Sequence, residues 1–189
     1  MLESYSAMAG QFFGLVSLLL CLLAFASRQD ERLMVLLIGA NVAFALQFLC
    51  FASWTAAALT VLVIVRIALA RRYPGHPGVM VGVLAASGLA ALLTWQGWAD
   101  LPAVVAMVLG TVSMFLLRGI PMRIFLGLAA LAWMLSHALV GAVGGTVAEA
   151  LVVITNAITI WRLARARRRH AEVFEPMSPA ESADSRTGP

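Results

Sequence analysis

Five polar side chains stand inside long apolar stretches of this sequence: Gln47, Arg66, His137, Glu149 and Asn156. Such groups are costly inside a membrane, where they usually face protein or a water-filled cavity and mark a ligand or proton path. Arg66 is a fixed positive charge suited to an anionic group, and Asn156 brings both donors and an acceptor. Glu149 and Asn156 are seven residues apart and share one helix face. His137 and Glu149 lie equally far from Val143, the centre of a short turn, so antiparallel helices bring them to similar depth. A His–Glu contact there would gate a path or carry a proton, and Gln47 is the matching group in the first half. Each residue also has a plainer reading. Arg66 could snorkel to headgroups six residues away, and Asn156 could simply tie two helices together. Glu149, three residues after Thr146, has capping-box spacing and would favour a helix N-terminus. No nucleophile–base pair, metal-ligand cluster, phosphate loop or haem-type His pair accompanies them, so the expectation is no enzyme, no metal and no cofactor.

The elements that must position these residues are membrane helices. The chain has 189 residues, 62% of them hydrophobic, and its mean hydropathy is +0.94, well above a soluble domain. A spanning helix needs about 20 mostly apolar residues. Seven such runs are predicted, at 8–27, 33–53, 55–72, 78–97, 101–118, 121–141 and 145–164. Pro74 and Pro77 separate the third from the fourth, and Pro102 and Pro121 sit in first turns, where a missing N–H costs nothing. "AFA" before Ser27 looks like a cleavage site, but the preceding "MLESYSAM" has no positive charge, so the first run is expected to be a retained helix.

All thirteen basic residues are Arg, which excludes a retinal protein, whose Schiff base needs a Lys. Arg28 and Arg32, Arg71 and Arg72, Arg118 and Arg123, and the group after Arg162 fall in alternate gaps. The N-terminus is therefore expected outside and the C-terminus in the cytoplasm. The expected partners are anionic lipid headgroups at the Arg-rich cytoplasmic side and a small-molecule solute, with no nucleic acid; self-association into a homo-oligomer is compatible with the sequence.

The two ends of the chain are alike at one spacing. Arg28 shifted by 90 reaches Arg118, Gln47 reaches His137, Arg66 reaches Asn156 and Arg72 reaches Arg162. The fold class expected is an all-α membrane protein of seven transmembrane helices in a 3+1+3 arrangement. Its parts are a first three-helix unit (1–73), a linker helix (74–98), a second unit (99–169) and a disordered cytoplasmic tail (170–189). The extra helix restores orientation, giving a parallel repeat about an axis along the membrane normal.

At "DER" (30–32), "GAVGGTVAE" (141–149), Trp133 and Asn156 the sequence resembles the YgjV-type bacterial inner-membrane proteins. That resemblance implies the bacterial cytoplasmic (inner) membrane as location. The arrangement is in turn similar to the SWEET and PQ-loop transporters, in which a substrate site lies between two three-helix units and Asn residues of the third and seventh helices line it. Only Asn156 matches here; Arg66 holds the other place. There is no Pro-Gln dipeptide, and the hinge prolines of SWEETs are missing from helix interiors. The function expected is a SWEET-like transporter of a small polar solute, anionic on the strength of Arg66. Arg66 and Asn156 would bind it, and Glu149, His137 and Gln47 would gate or carry protons. The alternative is a receptor or assembly protein that transports nothing.

Overall fold

The computed structural model describes residues 2–26 and 30–173. Arg28 and the tail from 174 onward lie outside them. The described residues form seven α-helices: α1 (Leu2–Ala26), α2 (Asp30–Cys50), α3 (Trp54–Arg72), α4 (Pro77–Thr94), α5 (Leu101–Leu116), α6 (Gly119–Leu139) and α7 (Val143–Val173), with a 3-10 turn at Trp98–Asp100. Lipid offers no partner to backbone N–H and C=O groups, so an apolar chain of this kind crosses a membrane as helices that satisfy their own backbones. Among the described residues six of the seven helices are long and apolar enough to span, and α2 adds a shorter described apolar stretch, Val35–Cys50. At 21 residues α2 is still about 31 Å long, matching a hydrocarbon core of about 30 Å.

Two helix ends differ by more than three residues from the sequence expectation. The first helix begins at Leu2, not 8, and the last runs to Val173, not 164. Arg and Ala are strong helix formers, so α7 continues after its apolar residues stop and takes in residues assigned above to the tail.

Each helix packs on its chain neighbours. The sequence α1–α2–α3–α5–α6–α7 closes into a ring through α1 against α7 and α3 against α5, and α4 packs against α3 and α5. One end of the bundle, here the N-terminal face, gathers the first half of α1, the α2–α3 turn, the α4–α5 link and the α6–α7 turn. Gln11 on α1 bridges the α6–α7 turn, donating to Gly141 O at 2.6 Å and accepting from Val143 N at 3.2 Å. The opposite, basic face carries Arg71, Arg72, Arg118 and Arg123.

The α2–α3 and α6–α7 turns are built alike. Ala52 N donates to Leu49 O, Ser53 N to Phe48 O and Ala57 N to Ser53 O; Gly141 N donates to Ala138 O, Ala142 N to His137 O and Thr146 N to Ala142 O. Every residue number in the second set is 89 higher than its counterpart. Ala52 and Gly141 share a left-handed backbone, with φ of 54° and 73°, the conformation for which glycine is the unstrained residue.

At the α3–α5 seam, Asp100 is buried and accepts from Gln96 N at 2.7 Å. Thr55 Oγ1 lies 3.0 Å from Asp100 Oδ2 and 2.7 Å from Thr94 O, so its proton is shared between them. Asp100→Ala takes the acceptor from the part-buried Gln96 N and leaves Thr55 with Thr94 O alone, at a cost of about 1–3 kcal/mol. Thermal denaturation in detergent is expected to show a fall of several degrees; an unchanged midpoint would mean that this lock contributes nothing.

Candidate functional site

Most polar side chains in the helices satisfy themselves. Thr60, Ser87, Thr111, Thr155 and Thr159 each donate to the carbonyl four residues back, at 2.7–2.8 Å, which for the buried Thr60, Ser87 and Thr111 offsets the cost of burial. Among the described residues, four side chains keep buried atoms that do not. Gln47 Nε2 and Oε1, Arg66 Nε, His137 Nδ1 and Asn156 Oδ1 are buried without a hydrogen-bond partner. Buried polar atoms are nearly always paired, so each of these needs an explanation.

Arg66 and Asn156 are explained by a cavity. It has a volume of about 270 Å³ and lies inside the ring, lined by α1, α2, α3, α6 and α7. Arg66 and Asn156 are each 6% exposed and both line it, together with Glu149. It runs from Phe44 and Trp133 toward Arg123, near the basic-face end of α6. Its walls come in pairs with the same offset of 89 as the turns: Leu37 with Leu126, Phe44 with Trp133, Val63 with Val152.

The snorkelling alternative for Arg66 does not hold. Its Cα is about 18 Å down α3 from the N-terminal face, yet its guanidinium meets α5 at Met107 and Gly110, about 9–14 Å down. The side chain therefore points away from the basic face. Nη1 donates to Met107 O at 3.4 Å and lies 3.6 Å from Met107 Sδ. The approach depends on Gly110, since a Cβ there would collide with the guanidinium.

Glu149 also departs from its plainer reading. The helix begins at Val143, with no acid in its first turn, and Thr146 Oγ1 bonds back to Ala142 O at 2.8 Å. Glu149 is thus about 9 Å down α7, past the capping positions. It is half-buried and lines the cavity together with Arg66.

His137 and Gln47 lie elsewhere. His137 is 1% exposed and stacks on Phe48, with centroids 4.4 Å apart and an 18° interplanar angle. Phe44 lies 4.8 Å from His137, and Phe48 lies 6.0 Å from Trp133. At the offset of 89, His137 is the counterpart of Phe48 and Trp133 of Phe44, so the two longer contacts exchange roles, as across a two-fold axis. These aromatic rings close the cavity on the side of the N-terminal face. His137 packs against Gly145 and Gln47 against Gly14, neither with room for a Cβ. Among the described residues no hydrogen bond or ion pair joins His137 to Glu149, and neither His137 nor Gln47 lines the cavity. The pairings expected from sequence, Gln47 with His137 and Arg66 with Asn156, are out by one residue. The register of the turns pairs Gln47 with Ser136 and Arg66 with Thr155. The earlier spacing came from arginines at helix ends, which packing does not hold to a register.

Sequence reasoning missed Asn41, Thr155 and Cys21, which line the same cavity. Asn41 was visible as an amide inside an apolar run; it bonds back to Leu37 O at 2.8 Å. Thr155 carries no signal that separates it from an ordinary helix threonine, nor Cys21 one that separates it from an ordinary buried residue.

A helical bundle with apolar outer sides, basic residues at one end and a few polar groups around an internal cavity is an integral membrane protein. The profile of Imp-YgjV, described as a bacterial inner membrane protein family, matches residues 8–167. The chain belongs to that family and to the bacterial inner membrane. It is 22% identical over 176 residues to inner membrane protein YgjV of Escherichia coli (strain K12), an alignment covering 93% of this chain and 96% of that one. No solved structure matches.

Proposed function

We propose that this protein is a transporter of a small polar solute carrying an anionic group, and not an enzyme. Two three-helix units, α1–α3 and α5–α7, enclose the site in a SWEET-like 3+1+3 arrangement with α4 as linker. The observation that carries the reading is the cavity: it lies between two walls of matching register and holds an arginine far from any headgroup. The shared offset of 89 in turns, cavity walls and aromatic contacts supports a parallel repeat with its axis through the Phe48–His137 stack. Related halves around a central site suit a rocking exchange of access. The Arg-rich face is the cytoplasmic one by the positive-inside rule, where its arginines meet anionic headgroups. In this state the aromatic layer closes the outer side and the cavity extends toward the cytoplasmic side. Gln47 and His137 then belong to the outer closure, not to the binding site.

The test is solute exchange in proteoliposomes loaded with a mixture of amino acids and small carboxylic acids, with the external medium followed by mass spectrometry. Release of at least one acid faster than from protein-free liposomes is expected. Absence of release under outward, inward and exchange gradients would end the transport reading.

A further inference from the structure

The cavity is lined by ionisable groups of both signs. Arg66 on α3 supplies a cation deep in the cavity and Arg123 on α6 a second at its mouth; Glu149 on α7 supplies the acid. The counterparts of Arg66 and Glu149 at the offset of 89 are Thr155 and Thr60, both neutral, so the charges break a symmetry that the apolar walls keep. Asn156 adds to this asymmetry. Its Nδ2 donates to Val152 O at 3.0 Å, which leaves Oδ1 as the open atom, an acceptor. The open donor, Arg66 Nε, is on α3. Two residues that line the cavity thus keep a buried polar atom without a partner, a donor on α3 and an acceptor on α7.

We propose that the site takes a small zwitterion, of which the α-amino acids are the simplest class, with its carboxylate on Arg66 and its ammonium on Glu149. This rests on the reading of the cavity as a substrate site. A purely anionic ligand would pair with Arg66, helped by Arg123 at the mouth, but would face the like charge of Glu149. A purely cationic ligand would face Arg66. A neutral polyol would compensate neither charge. A zwitterion pairs with both: the planar guanidinium matches a carboxylate, and an ammonium donates to Glu149. The volume of about 270 Å³ is at or below the lower bound of drug-sized sites, roughly 300 Å³, and fits a compact molecule.

Binding of each of the twenty standard α-amino acids to the nanodisc-reconstituted protein, measured by titration calorimetry, tests this. The tightest ligand is then compared with its α-hydroxy acid, which lacks the ammonium, and its amide, which lacks the carboxylate. The amino acid is expected to bind at least tenfold more tightly than either analogue. Glu149→Gln, which keeps side-chain shape, is expected to erase the preference over the hydroxy acid without weakening the hydroxy acid itself. Equal binding of the hydroxy acid to the unaltered protein would overturn the zwitterion and leave an anion transporter standing. No binding by any of the twenty would overturn it as well. Tight amino-acid binding without flux in proteoliposomes would instead sink transport and leave this assignment in place.

Discussion

Arg66→Ala is expected to abolish solute exchange while leaving the protein monodisperse in detergent. Arg66 is the charge that the cavity directs at a carboxylate, and truncating one partner of a buried, hydrogen-bonded charge pair costs roughly 2–5 kcal/mol, a loss of about 30-fold or more in affinity. Folding should survive, because the link of the guanidinium to the protein is slight: a 3.4 Å hydrogen bond to Met107 O and a contact with its sulfur. Losing it opens a space beside Gly110, next to a cavity already present. Arg66→Lys tests geometry against charge. An ammonium keeps the sign but not the planar fork, so exchange should fall well below the unaltered protein while remaining above Arg66→Ala. Full exchange by Arg66→Ala would remove the arginine from the mechanism, whatever the solute. The comparison should include Gly110→Ala, whose Cβ would displace the same guanidinium from α5.

The helices were legible because lipid imposes a simple rule on the sequence, an uninterrupted apolar run for each crossing. Prolines at the starts of α4 and α5 set those boundaries correctly, since Pro77 and Pro102 lie in first helical positions. The basic end of α7 was not legible as helix because hydropathy marks where lipid stops, not where the helix does. The presence of Arg66, Glu149 and Asn156 was legible, since intramembrane polar groups are rare. Their directions were not. Arg66 is six residues from the basic end of α3, which invites snorkelling; what turns it back is the missing side chain at Gly110, on a helix that sequence pattern does not tie to it. Glu149 was ambiguous because Thr146 and Glu149 have capping-box spacing in a helix that begins three residues before Thr146. His137 looked like a partner for Glu149 by depth alone. Depth does not fix azimuth, and His137 faces the Phe48 ring.

Gly144→Val is expected to cost more stability than any other single substitution considered, lowering the yield of monodisperse protein severely. Here α1 and α7 cross backbone to backbone: a Cβ on Gly144 would fall against the backbone of Gly14, within 2.6 Å of its carbonyl oxygen and 2.8 Å of Leu15 N. Backbone cannot swing aside as a side chain can, so the helices must part, at more than the roughly 1–3 kcal/mol typical of overpacking. Parting them would pull Gln11 from Gly141 and Val143 and disturb Gln47, which fills the space beside Gly14. Gly144→Ala should show the same effect in smaller degree. Gly88→Val is the control, since a Cβ there meets nothing within 4 Å; its stability should stay near that of the unaltered protein. An unchanged melting temperature for Gly144→Val would disprove the close crossing. The position bears on mechanism because its counterpart at the offset of 89 is Thr55, which locks the α3–α5 seam to Asp100 and Thr94. The two seams of the ring are thus closed by different means: backbone contact at α1–α7, with Gln11 hydrogen-bonded to the α6–α7 turn, and a buried hydrogen-bonded acid at α3–α5.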